Sequence, residues 1–223
     1  MNIVNVEQGS PEWRQLRAGK VTASRISDVL AKLKNGGEAA TRKNYRAQLV
    51  AETLLGHPIE SEWMSPEMKF GVENECLARA AYEMASERMV QQVGFVLHPT
   101  IESSGCSPDG LVRPCGLIEI KVPNTATHLG WILAGKVPTE HQPQMMWQMA
   151  CTGADWNEFV SFDPRLPSHL QLFVRRLERD QKRITEMEAE VKDFLAEVDE
   201  ILAKLPKAPD PLEITEEDIQ SVR

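Results

Sequence analysis

Long apolar runs are missing from this chain, and none approaches the roughly 20 consecutive residues that cross a bilayer, so no membrane partner is expected. Cysteine is scarce as well. Cys76, Cys106, Cys115 and Cys151 are the whole supply, widely scattered, with no CxxC pair and no nearby histidine at zinc-site spacing. Reduced, partly buried thiols are therefore expected rather than a metal knuckle. The opening MNIVNVEQGSPEWRQ lacks the charged-then-apolar pattern of a secretory signal, which makes a cytoplasmic protein the expectation. Positive charge is in the minority: 25 Lys and Arg against 33 Asp and Glu give a net charge of −8. That total alone speaks against indiscriminate binding of nucleic acid.

Its distribution says more. Residues 1–50 carry nine Lys and Arg and four Asp and Glu, a net +5, which leaves −13 on residues 51–223. A basic N-terminal region on an acidic body suits local phosphate contact, although a charge run is also an ordinary solvated face. With 223 residues, 42% of them hydrophobic and 26% charged, a single domain over 1–205 is the natural reading. Pro206 stops the last helix, and the acidic remainder, 206–223, reads as a mobile tail.

Ser10-Pro11 and Ser65-Pro66 each supply an N-cap followed by proline at the first helical position. Helices are predicted from Pro11 to Gly19, over 41–55 with Gly56 as the stop, and from Ser65 to about Ser86. The spacing of Ile26, Val29, Leu30 and Leu33 predicts another, starting at Thr22 or Ser24. MVQQVGFVLH, the stretch Ser104–Ser107 and GLIEIKVP read as strands, as do NEFVSFD and HLQLFVRRLER. HLGWILAG and EHQPQMMWQMACTG read as helices, with Pro143 in the first turn of the second. From about Asp180 to Leu205, apolar residues at Ile184, Met187, Val191, Phe194, Val198, Ile201 and Leu205 step by threes and fours. That seam fits a helix packed on the chain's own core better than a free coiled coil of this length. Helices followed by interleaved strands and helices imply an α/β or α+β fold, with a central mixed sheet flanked by helices.

One segment carries chemistry. In CSPDGLVRPCGLIEIKVP, Asp109 follows a proline, and Glu119 and Lys121 interrupt an apolar strand. An acid set between Ile118 and Ile120 must face a cleft or be paired. If Asp109 and Glu119 lie on neighbouring strands, they can grip one hard cation together with the backbone carbonyl of Ile120. Mg²⁺ suits such oxygen ligands and retains several waters. Lys121 projects to the same face as Glu119, where its ammonium can stabilise charge on a phosphate. The competing reading is a surface hairpin with an incidental ion pair.

WRQLRAGKVTAS, FGVENECLAR, CSPDGL, GLIEIKVP and HQPQMMWQM, in this order and at these spacings over roughly residues 5 to 200, resemble the phage lambda-type exonucleases. These are YqaJ-like viral recombinases within the PD-(D/E)XK nuclease superfamily. The resemblance implies a restriction-endonuclease-like core and Mg²⁺-dependent 5′-to-3′ digestion of linear duplex DNA, with Mn²⁺ as a substitute metal. Mononucleotides are released, and the 3′ single strand left behind serves phage recombination by single-strand annealing. It implies that Asp109 and Glu119 are metal ligands, Lys121 the catalytic lysine, Glu75 the helix acid that completes the site and Gln144 the glutamine that holds it. Read alone, Glu75 is a solvated helix acid, no better placed than Glu73, and Gln144 a helix surface residue. Arg17, Ser24 and Ser107 match positions that bind the 5′-terminal phosphate; a surface charge and a helix cap are the plain readings of the first two. Lys34 and Arg42 are further candidates for the DNA backbone. His141 stands where relatives carry tyrosine, either contacting phosphate or substrate or capping its helix. Met68 falls where a side chain could wedge between separating strands, with a core methionine as the commoner reading. A ring-shaped homotrimer and a single-strand annealing protein are the implied partners, in the cytoplasm of a bacterial host of a phage or prophage. Another endonuclease of the superfamily and a catalytically inactive DNA-end-binding protein are the alternative readings.

Overall fold

The computed structural model describes residues 1–34, 36–59 and 65–206. In chain order the first elements are β1 (Asn2–Val4), α1 (Pro11–Arg17), β2 (Val21–Thr22), a 3-10 turn (Ala23–Arg25), α2 (Ile26–Val29), α3 (Ala40–Leu55) and α4 (Pro66–Ser86). Five strands follow: β3 (Val90–Gln91), β4 (Phe95–Leu97), β5 (Ser104–Cys106), β6 (Gly110–Val112) and β7 (Gly116–Lys121). The chain continues through α5 (Thr125–Ala134), α6 (Gln142–Thr152), β8 (Trp156–Phe162), a 3-10 turn (Ser168–Leu170), β9 (Leu172–Glu178) and α7 (Gln181–Lys204).

Local chemistry sets the helix ends. Ser10 Oγ accepts from the Trp13 N–H at 3.1 Å and Ser65 Oγ from the Met68 N–H at 3.2 Å, each with proline in the first turn. Gly56 ends α3 at φ +68°, a left-handed conformation that favours glycine. The second predicted helix is shorter than its apolar spacing suggests. It begins as a 3-10 turn, and α2 stops at Val29, leaving Leu33 half exposed. A tight turn wins over helix continuation here: the Gly36 N–H donates to Leu33 O and the Leu33 N–H to Gly37 O, both at 2.9 Å. Gly36 supplies the positive φ of +81°.

The strands form two mixed sheets. The central five-stranded sheet has the order β3-β6-β7-β8-β9, with β7 antiparallel to β6 and parallel to β8. A four-stranded sheet, β1-β4-β5-β2, stands beside it. β5 belongs to the smaller sheet and β6 to the larger, so Ser107-Pro108-Asp109 is the segment that passes between them.

Helices cover both faces. The α7 seam of Ile184, Met187, Val191, Phe194 and Val198 is buried in one core with Tyr45 and Leu49 of α3, Trp147 and Met149 of α6, and Leu117 of β7. It packs on the chain's own core, as its length implied. On the opposite face Ala78 and Tyr82 of α4 cover Ile118, Ile120 and Val160. Among the described residues, no helix is long and apolar enough to cross a membrane. Residues 207–223 of the acidic C-terminal segment lie outside the described residues.

Candidate active site

Pairing of β6 with β7 assembles the acids. Gly110 opposes Ile118, which places Asp109, one residue before β6, opposite Glu119. The Ile120 N–H donates to Asp109 Oδ2 at 2.6 Å. A strand residue directs its N–H and C=O to the same side, so the Ile120 carbonyl faces the same gap beyond the start of β6. The pleat then sorts the side chains. Ile118 and Ile120 enter the α4 core, whereas Glu119 and Lys121 share the face of Leu117, towards α6.

Glu119 is only 1% exposed and accepts from three side chains. Lys121 Nζ and Gln144 Nε2 donate to Oε1, the latter at 2.7 Å, and Gln148 Nε2 donates to Oε2 at 2.5 Å. Gln144 and Gln148 are four apart on α6 and therefore lie on one helix face. Gln148 was not singled out from sequence; its signal was the Q-x-x-x-Q spacing in QMMWQ. Behind it, Asn157 Nδ2 on β8 donates to Gln148 Oε1 at 2.7 Å.

Burial, and then the nearby charge of Glu119, push the Asp109 carboxyl well above the usual carboxylate range, with Lys121 opposing. For Lys121, burial disfavours the ammonium, but Glu119 and Asp109 outweigh it and hold the group above its ordinary value. Two carboxylates with excess negative charge and a peptide carbonyl at one gap are the donor set of a hard, partly hydrated cation. Among the described residues, no three His, Cys, Asp or Glu side chains are grouped so as to hold a metal ion, so the set here is two carboxylates and a peptide carbonyl.

Glu75, on α4, is half-buried and accepts from Arg79 Nη2 at 2.5 Å. Its charge acts on both Asp109 and Lys121, so α4 brings a third acid to the site's edge. His141 is the N-cap residue of α6, where its carbonyl accepts from the Met145 N–H at 3.1 Å while its side chain makes no capping bond. Its ring stacks on Phe159 at 5.3 Å and meets the edge of Trp131 at 5.5 Å. Burial, and after it the charge of Lys121, lower its pKa, so it borders the same cluster.

The N-terminal candidates meet through Trp13, a residue of the WRQLRAGKVTAS motif that carried no individual role in the sequence. Trp13 Nε1 donates to Ser107 Oγ at 2.8 Å, and the Arg17 guanidinium lies 4.1 Å from the Trp13 ring centre. Arg17 Nη2 donates to Ser24 Oγ at 3.4 Å. The turn that presents Arg17 is held by Glu52, whose buried carboxylate accepts from the Gly19 N–H at 2.8 Å. Lys20 and Arg25, neither of them singled out beforehand, line a pocket with Arg17. Ser107 precedes Asp109 by two residues, which joins this polar group to the acids.

Lys34 is exposed in the loop after α2, and Arg42 lies on α3. The Arg42 side chain is 11% exposed and makes a bidentate pair with Glu197 of α7, both bonds at 2.8 Å. Met68 is 55% exposed, which corrects the core reading: the α4 residues that enter the core are Ala78 and Tyr82.

Residues 12–155 match the YqaJ-like viral recombinase domain. No curated protein matches the chain. An alkaline exonuclease from Laribacter hongkongensis, LHK-Exo, is 46% identical, with a TM-score of 0.80 over 87% of this chain and 95% of that one. The structure of LHK-Exo in complex with dAMP is 47% identical over the same shares, with a TM-score of 0.81. A phage related exonuclease from Haemophilus somnus 129PT shares the fold, with a TM-score of 0.67 at 14% identity over 84% of this chain and 96% of that one. The acids before β6 and on β7, the lysine beside them and the glutamines over them thus sit in a nuclease fold, and the chain belongs to the YqaJ-like viral recombinases, the family of the lambda-type exonucleases.

Proposed function

We propose that this enzyme is a Mg²⁺-dependent 5′-to-3′ exonuclease on linear double-stranded DNA, releasing mononucleotides and leaving a 3′ single-stranded overhang. The observation that carries the reading is the Asp109–Glu119–Lys121 cluster at one gap, with Glu119 gripped by Gln144. Asp109, Glu119 and the Ile120 carbonyl are the residues that would hold the ion, with Glu75 completing the set from α4. Bound there, Mg²⁺ or Mn²⁺ would supply Lewis-acid stabilisation of phosphoryl charge and a water of lowered pKa. Lys121 places an ammonium on the same face, where it stabilises charge on the phosphate and orients the attacking water. Gln144 keeps Glu119 in place. His141 borders the space that the terminal nucleotide would fill.

Arg17, Ser24 and Ser107 receive the 5′-phosphate through a guanidinium and hydroxyls. Exposed Lys34 reaches towards the DNA backbone, and exposed Met68 is the strand-separating side chain. Arg42, spent on Glu197, is left out. A bound mononucleotide in LHK-Exo fits release of single nucleotides. A homotrimeric ring and a single-strand annealing protein complete the reading, in phage or prophage recombination.

The test is digestion of end-labelled linear duplex, with and without Mg²⁺, comparing 5′-phosphate ends, 5′-hydroxyl ends and closed circles. Metal-dependent release of mononucleotides from phosphorylated 5′ ends, with circles intact, is expected. Cleavage of circles would move the protein to an endonuclease, and absence of cleavage with Mg²⁺ or Mn²⁺ would leave a DNA-end-binding protein.

A further inference from the structure

We infer that Gln148 and Asn157 form a positioning relay that fixes which edge of Glu119 is offered to the cation. The inference rests on the reading of Asp109 and Glu119 as the cation site. It concerns residues outside that ligand set.

The hydrogen bonds run in one direction. The Met145 carbonyl can only accept, so the group of Asn157 facing it at 3.3 Å is the amide nitrogen. The same Nδ2 faces Gln148 at 2.7 Å, which requires Gln148 to present its oxygen there. Its Nε2 is thereby turned to Glu119 Oε2, at 2.5 Å. Each amide orientation follows from a backbone carbonyl that cannot donate. Gln148 and Asn157 are fully buried and Glu119 is 1% exposed, so water does not compete for these groups.

Placement agrees with this role. Asn157 on β8 pairs in register with Leu117 on β7, two residues before Glu119. Gln148 lies one turn beyond Gln144, so two amides of one helix hold the two oxygens of one carboxylate. Trp147, between them, donates from Nε1 to Ser104 Oγ at 3.1 Å and ties α6 to β5. Gln148 occupies the inner oxygen, Oε2. The other oxygen, Oε1, accepts from Gln144 and from half-buried Lys121, and Lys121 is the one of these donors that a cation's charge can displace. A neutral amide does this without adding a charge that would repel a cation.

The relay is tested by Mn²⁺ binding to DNA-free protein, measured by calorimetry, for wild type, Gln148→Met, Asn157→Asp and the double variant. Gln148→Met keeps the length of the side chain and removes the donor. Asn157→Asp does not touch Glu119 but leaves Gln148 facing an acceptor, which turns its amide over. We expect Gln148→Met to weaken Mn²⁺ binding by about 10–100-fold, the usual effect of losing a partner behind a metal ligand. Asn157→Asp should shift it in the same direction, and the double variant should be no weaker than Gln148→Met, because the second change acts only through Gln148. DNA cleavage should follow the same order at low Mn²⁺ and recover as Mn²⁺ is raised.

Folded variants that bind Mn²⁺ within about twofold of wild type, well short of the 10–100-fold effect, would overturn the relay while leaving the cation site standing. Should Gln148→Met fail to fold, Asn157→Asp alone decides by the same criterion. A wild type that binds no Mn²⁺ would remove the cation site, and the relay with it.

Discussion

Lys121 and Glu119 are two residues apart on one strand, and their pairing is the contact that a sequence can announce unaided. Strand alternation puts them on one face, and Asp109 joins them through a hairpin of ten residues. Gln148 and Trp13 were invisible for the opposite reason: their partners, Glu119 and Ser107, lie 29 and 94 residues away, and no local period encodes that distance. The lysine's role can be isolated. Lys121→Ala should lower cleavage by on the order of 10²–10³-fold or more, as loss of a preorganised charge does, while binding of a duplex end survives. Near-normal turnover in single-turnover digestion would remove the lysine from the chemistry. For the N-terminal cluster, Arg17→Ala should cost a charge-assisted contact, about 1.5–3 kcal/mol, and so narrow the preference for 5′-phosphate over 5′-hydroxyl ends by roughly 10–100-fold. An unchanged ratio of initial rates on the two ends would sink that assignment.

Elements announce themselves through period and caps, and here most did so. The Ser-Pro starts, the glycine stops and the α7 seam each rest on chemistry within a few residues. α2 failed because its outcome was decided by Gly36 and the turn it permits, not by its own apolar spacing. α6 was legible as a helix but not as a junction. His98 of the loop after β4 stacks on Trp147 at 5.1 Å, and its Nδ1 accepts from the Thr100 and Ile101 N–H groups at 3.3 and 3.1 Å. Its Nε2 lies 3.3 Å from Glu188 of α7, without the alignment of a full hydrogen bond. Burial lowers the His98 pKa from its ordinary 6.5, and Glu188 offsets this only in part. A depressed pKa means that the unfolded chain takes up the proton first. The His98 contribution to stability is therefore present above about pH 6.5 and is lost as pH falls through the folded-state value. Urea unfolding should show lower stability at pH 5.5 than at pH 7.5, and His98→Gln should flatten that slope. Equal slopes in the two proteins would assign the acid sensitivity elsewhere.

For the molecule as a whole, the charge split read from sequence is real, but part of it is spent internally. Arg42 and Arg46 both bind Glu38 and Glu197, so two of the nine N-terminal cations tie α3 to α7. Composition counts charges without knowing which are already answered. Nor does composition reveal that the chain builds two sheets and hangs its acids where they meet. Ser107-Pro108-Asp109 leaves the smaller sheet and enters the larger one, and Glu119 waits on the far side of that crossing. An ion held by Asp109 and Glu119 would therefore act as a rivet as well as a reagent, pinning the strap between the sheets to the central strand. At about 100 times its Kd, such an ion should raise unfolding stability by about 2.7 kcal/mol. Thermal melts in Mg²⁺ and in chelator should differ accordingly, and Asp109→Asn should erase the difference. A nuclease built in this way would soften at its own cutting edge whenever it ran short of metal.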